Sequence, residues 1–293
     1  MAGEAIAIPA AVPARRKLSL WRVLSQSMAY VVLIAGFTFT LLPFVYVFLS
    51  SFKTNAELRR VPPTFIPESP TLENYVTVIS DRQLALHRIF YNSGIVALSR
   101  TVLTLLISSF AGYIFARYRF TGRNLFFGMI LAQLMIPFQV VMIPLYLLTV
   151  KMGLIDTLWA LIIPLLIDAY GIFVAKQFVE NFPSEILEAA RLDGASEFGI
   201  YWRIIMPQLG PALASLGILT FMASWNDYLW PLIVITSPEK RTIPLALVWY
   251  STQHGANQGL VLAAAMLTLL PIFIVYFIAQ RWIVEQASQS AFK

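Results

Sequence analysis

Six long apolar stretches take up most of this chain, at about residues 28–50, 89–116, 125–150, 158–179, 209–235 and 260–284. A helix needs about 20 apolar residues to cross the hydrocarbon core of a bilayer, and each of the six is long enough. Lipid offers no partner to a backbone N–H or C=O, so continuous apolar runs of this length can span only as helices. The expected fold class is all-α and integral to the membrane, with six transmembrane helices. Composition argues the same way. Hydrophobic residues make up 58% and charged residues 12%, about half the charged share of soluble domains.

The connections divide the rest. Residues 1–27 form a polar N-terminal tail, 51–88 the first long loop, 89–284 a block holding spans two to six, and 285–293 a short C-terminal tail. A twin-arginine export signal is one reading of Arg15-Arg16-Lys17. The apolar stretch after it is longer than a signal's core and lacks a convincing cleavage site, which favours a retained tail. Six spans put both termini on one side, and Lys and Arg in short connections choose which. Arg15, Arg16, Lys17 and Arg22 precede span one; Arg117, Arg119 and Arg123 follow span two; Arg191 and Arg203 follow span four; Arg281 and Lys293 close the chain. The short turn on the opposite side has Lys151 alone. Both termini are therefore expected in the cytoplasm, together with the connection after span four, and the 51–88 loop outside. Pro62, Pro63, Pro67 and Pro70 favour extended, turned chain in that loop. Pro137 and Pro144 are expected to kink or break span three.

The most structured connection is residues 180–211. Pro183 is accepted cheaply in a first helical turn, with Ser184 as a cap beside it, and Glu185 and Glu188 near the positive end of the dipole. Ile186, Ala189 and Ala190 share one small apolar face. Gly194 can end the helix in the left-handed conformation, and a second short helix can run from about Ser196 until Pro207 breaks it. A charged helical hairpin between two spans is a docking element.

Glu188-Ala189-Ala190, then Gly194 after three residues, then Ile204-x-Met206-Pro207 after nine more, resembles the EAA motif of ABC importer permeases. Met206 departs from the usual Leu, a volume-conserving change. Pro70-Thr71-Leu72-Glu73-Asn74-Tyr75, Ile136-Pro137-x-Gln139, Ile143-Pro144-Leu145-Tyr146 and Trp225-Asn226-Asp227-Tyr228 are similar to patterns of the carbohydrate-uptake branch. The resemblance implies the type I importer permease fold, with 180–208 as a cytoplasmic coupling-helix segment. It also implies Glu188, Ala189, Ala190, Asp193, Gly194, Ile204 and Pro207 as the docking residues for an ABC ATPase subunit, in two copies per complex. A second homologous permease, forming a heterodimer, and an extracytoplasmic solute-binding protein complete the implied partners. ATP and Mg belong to the ATPase.

The chain itself has no Gly-x-x-x-x-Gly-Lys-Ser/Thr phosphate loop, no His-Glu-x-x-His and no Gly-x-Ser-x-Gly, and it holds two histidines and no cysteine. Neither enzyme chemistry nor a bound cofactor or metal is expected of it, and the excess of basic charge is placed by membrane topology rather than by nucleic acid. Asp168 in span four and Trp225, Asn226, Asp227 and Tyr228 in span five are polar or aromatic groups inside lipid. They are candidates for a translocation path, with aromatic faces for sugar rings and carboxylates or amides for hydroxyls. Interhelical hydrogen bonding that fixes the packing explains the same residues, and the sequence leaves both readings open. The expected function is a permease subunit for a sugar or related polyol, driven by ATP hydrolysis on a separate subunit. A secondary transporter or channel for a small polar solute is the competing class. Few intramembrane charges and no evident inverted repeat weigh against it.

Overall fold

A computed structural model describes residues 20–291 of the chain. Arg15, Arg16, Lys17 and Lys293, used above for orientation, lie outside the described residues. Among those described the regular structure is helical, with no strand. The main helices are α1 (Leu20–Ser50), α2 (Glu73–Ser80), α3 (Leu86–Arg117), α4 (Arg123–Ala132), α5 (Phe138–Lys151), α6 (Ala169–Glu180), α7 (Ser184–Leu192), α8 (Gly210–Trp225), α9 (Leu229–Val234), α10 (Ile243–His254) and α11 (Gln258–Ala291). In α1 the part from Gln26 is a span by length and composition, as is the whole of α3. Two further spans are bent pairs, Arg123–Met135 with Phe138–Lys151 and Leu158–Leu165 with Ala169–Glu180; a third bent pair joins Glu197–Gln208, the end of the hairpin, to α8, and the apolar part of α11, Gln258–Ile274, is a shorter apolar helix.

The breaks are sharper than the apolar runs suggest. Span three turns by 113° between Arg123–Met135 and Phe138–Lys151. Pro137 has no N–H to donate and forces Ile136 into extended backbone, φ −99° and ψ 116°, so the helix stops and restarts. Pro144 lies inside α5 and does not break it. Span four opens with two 3₁₀ turns and bends by 45° before α6. The segment Glu197–Gln208 meets α8 at 75°.

Packing follows small residues. A Cβ added to Gly112 on α3 would lie 2.6 Å from the Ala175 Cβ and 2.7 Å from the Lys176 N, so α3 and α6 touch backbone to side chain. Ser108, Ser109 and Ala175 are buried near the same seam, the small-residue contact that membrane helices use in place of a hydrophobic drive. Three apolar clusters hold the bundle. One, around Val78, Trp225, Tyr250 and Ala263, lies under the 51–88 loop. The second, around Tyr113, Leu187, Ile200, Ile205 and Leu209, lies under the 180–211 hairpin. A third centres on Trp230, whose indole N–H donates to the Ala160 carbonyl at 2.8 Å.

The first loop is a compact cap rather than the extended chain its prolines suggest. Buried Asn74 donates to the carbonyls of Ser51 and Lys53, both at 2.9 Å. Glu57 accepts from the Thr64 hydroxyl at 2.7 Å and from the Glu68 N–H at 3.0 Å, while buried Lys53 donates to the Thr64 carbonyl. These bonds satisfy the loop's polar backbone internally, which is what lets it fold over apolar neighbours. At the far side of the same end, Asp156 accepts from the N–H groups of Thr236 and Ser237 at 3.0 and 2.9 Å. The hydroxyl and N–H of Ser237 hold the Asp156 carboxyl well below its ordinary value. That clamp ties the turn after α5 to the turn after α9.

Candidate functional site

Helix α7 is the centre of the hairpin. Pro183, at φ −56° and ψ 124°, is its N-cap, and Ser184 is the first helical residue with no side-chain cap, the reverse of the expected order. The cap that does form is one helix later: the Ser196 hydroxyl accepts from the Gly199 N–H at 3.1 Å. Gly194 adopts φ +81°. The Gly194 N–H reaches the Arg191 carbonyl at 3.0 Å and the Ala195 N–H reaches Ala190 at 2.9 Å, which satisfies carbonyls at the helix end. No atom lies within 4 Å of a Cβ built on Gly194, so the backbone conformation alone requires glycine there.

One side of α7 is anchored. Leu187 is fully buried against Ile200, Tyr201 and Ile205, and Ala190 packs on the same cluster. The other side is bare: Glu185, Ile186, Glu188, Ala189, Leu192, Asp193 and Gly194 are all exposed, Leu192 to 88%. Of the expected apolar face, Ile186 and Ala189 thus point outward while Ala190 faces the core. Ile204 is half-buried on the apolar cluster. Pro207 lies exposed just before the 75° bend, which falls at Leu209 and Gly210 rather than at the proline itself. Between them, Tyr201–Ile205 form a π-helical turn, a wider winding often found at functional sites.

The hairpin is wired to the bundle by residues that the motif does not include. The Glu197 carboxylate accepts from Arg191 Nε at 2.7 Å, from the Tyr113 hydroxyl at 2.8 Å and from the Tyr118 hydroxyl at 3.0 Å. The Arg191 guanidinium holds its pKa down to about 2, against the opposing effect of partial burial, with both tyrosines assisting. Arg117, at the end of α3, donates to the carbonyls of Val179 at 2.7 Å and Phe182, in and just after the last turn of α6, where a cation is favoured. Tyr201 shares a 2.8 Å hydrogen bond with Ser109 on α3. Arg191, Glu197 and Tyr113 thus link α7 to α3, and residues 181–183 join it to α6.

The second polar region lies at the helix breaks. Asp168 is the N-cap of α6, its Oδ1 accepting from the Tyr170 N–H at 3.1 Å. Asp227 lies in the break before α9, with Oδ1 accepting from the Trp230 N–H at 3.3 Å and Oδ2 at 3.7 Å from Arg100 Nη1. The structure thus brings one of the sequence candidates, Asp227, to a buried arginine. The others separate: Trp225 is buried and stacked on Phe221, Tyr228 packs on the Trp230 cluster, and exposed Asn226 donates to the Met222 carbonyl at 2.8 Å. Nothing in the sequence singles out Arg100, because a snorkelling arginine and a buried one look alike there.

An all-helical bundle with broken spans and an outward-facing hairpin helix is the architecture of a transporter's membrane subunit. The chain belongs to the family described as binding-protein-dependent transport system inner membrane component, whose model matches residues 105–288. It is a permease of the ABC importer class, a transport component of the inner membrane rather than an enzyme, and the secondary-transporter reading falls with that assignment. Its similar proteins include the arabinooligosaccharides transport system permease protein AraQ of Halalkalibacterium halodurans, 37% identical over 89% of this chain and 92% of the relative. The lactose transport system permease protein LacG of Rhizobium radiobacter is 33% identical over 91% and 96%. The sn-glycerol-3-phosphate transport system permease protein UgpE of Brucella abortus is 32% identical over 90% and 96%. Among solved structures, a chain of a bacterial ABC transporter that imports the acidic polysaccharide alginate superposes with a TM-score of 0.80 at 23% identity, over 90% of this chain and 98% of that one. The type I importer permease fold expected from the sequence is the fold found.

Proposed function

We propose that this chain forms, with a second homologous permease, the translocation path for a sugar or related polyol, and that α7 docks on an ATPase subunit whose ATP hydrolysis, with Mg, drives the cycle. Glu188, Ala189, Ala190, Asp193, Gly194, Ile204 and Pro207 form or shape the docking element. An extracytoplasmic binding protein delivers the solute on the side of the 51–88 loop, and both termini and α7 face the cytoplasm. The observation that carries this reading is the two-sidedness of α7: Leu187 seats it on the bundle while Ile186, Ala189 and Leu192 stay bare. Exposed apolar residues rimmed by Glu185, Glu188 and Asp193 suit a groove on a partner. The named relatives that carry arabinooligosaccharides and lactose support the sugar assignment.

Ala189→Asp tests it. The site is exposed and helical, so the variant folds and enters the membrane, while a new carboxylate sits in the centre of the docking face. The expected result is loss of the co-purified ATPase subunit and of ATP-dependent uptake at unchanged permease level. Full uptake with the ATPase still bound would contradict the docking assignment.

A further inference from the structure

Arg100 lies deep in α3, about 21 Å along the helix from Leu86 at 1.5 Å per residue. Its side chain is largely buried, and its Nε has no hydrogen-bond partner among the described residues. The Asp227 carboxylate faces it at 3.7 Å. Arginine and carboxylate that meet only to neutralise each other close to about 2.7–2.9 Å, often with two parallel bonds. This pair stands open by roughly 1 Å on that scale, with donors on one side and an acceptor oxygen on the other. A hydroxyl group accepts one hydrogen bond and donates one, so adjacent hydroxyls match such a pair. Asp227 also lies in the unwound break between α8 and α9, and discontinuous helices of this kind are where transporters bind their cargo. The balance of charge limits what fits. Asp227 already faces the guanidinium, so a carboxylate or phosphate on the solute meets a like charge beside it.

We infer that Arg100 and Asp227 read the hydroxyl groups of a neutral solute on this subunit's wall of the path, and that the Asp227 carboxylate selects against anionic ones. The inference rests on the reading of the chain as one wall of a polyol path, and it divides the cargo class that the relatives leave mixed.

The test uses the complete complex purified with its partner chains, without binding protein, and two probes: neutral arabinotriose and trigalacturonic acid. Binding is followed by tryptophan fluorescence, since Trp225 and Trp230 flank Asp227. The wild-type complex is expected to bind arabinotriose about tenfold more tightly than the trianion, the worth of one charged hydrogen bond. Asp227→Asn should shrink that ratio toward one. Arg100→Lys keeps the charge but loses the planar fork, and should weaken arabinotriose about tenfold. An unchanged ratio in Asp227→Asn overturns the inference. Where that variant fails to assemble, the wild-type ratio decides, and preference for the trianion overturns it. A wild-type complex that binds neither probe, yet takes up arabinotriose when binding protein is added, also overturns it. A complex that transports no sugar of either charge defeats the path reading itself.

Discussion

The Glu197 carboxylate accepts from one residue on α7 and two at the end of α3, so its charge ties its own segment to two other pieces of backbone. Glu197→Gln keeps the size and removes the charge. Because Arg191 and Glu197 are each about two-fifths exposed, the stability at stake is about 1 kcal/mol, seen as a fall of about 2–4 °C in thermal midpoint. The larger expected effect is on coupling: ATP turnover continues while solute moved per ATP falls. The pH dependence has a definite sign. Glu197 titrates at about 2 in the folded protein against 4.5 for a free glutamate, so its contribution is complete above pH 4.5 and is lost as pH falls toward 2. The gap in thermal midpoint between wild type and variant should close over that interval; a gap that widens would contradict the network. Gly194 was legible in the sequence, since one backbone conformation demands that residue. Glu197 was not, because its tyrosine partners lie 84 and 79 residues away and no local pattern announces them.

Helices and their breaks show a similar division. Apolar runs give the number of spans, because lipid imposes a minimum length, but a run is an average and hides the turn inside it. Pro137 and Pro144 present the same local signal, and only the first breaks the helix. Phe138, Met142, Leu145 and Tyr146, on both sides of Pro144, all pack against the Trp230 cluster, and that packing holds α5 together across the proline. The seam between α3 and α6 was likewise invisible, since nothing in Gly112 says which neighbour it meets. Gly112→Ala forces its Cβ to within 2.6 Å of Ala175 and 2.7 Å of the Lys176 backbone, and overpacking of this kind costs about 1–3 kcal/mol. Gly94→Ala, on the same helix with nothing within 4 Å, should be neutral or gain up to about 1 kcal/mol of helix propensity. Thermal unfolding of both variants in detergent checks the pair. Equal midpoints would show that α3 and α6 are not in backbone contact.

Over the whole molecule, what is bare matters as much as what is packed. The described side chains of α1 up to Phe44 are exposed, including Val31, Phe37 and Phe39, so this helix meets lipid or another chain along most of its length. The hairpin end carries Arg117, Arg119, Arg123, Arg191 and Arg203 in short connections. The opposite end carries Lys53, Arg59, Arg60, Arg82, Arg88, Lys240 and Arg241 on or beside the longer loops, which count for little in orientation, and Lys151 in its short turn. Orientation and docking meet at one residue. The chain has no cysteine, so Ala189→Cys places a single thiol in the middle of the exposed face of α7. A membrane-impermeant maleimide should modify it in inverted vesicles stripped of peripheral subunits, leave it untouched in intact cells, and be blocked when the purified ATPase subunit is added back. Modification from outside the cell, or unprotected modification with the ATPase bound, would contradict α7 as the cytoplasmic coupling element.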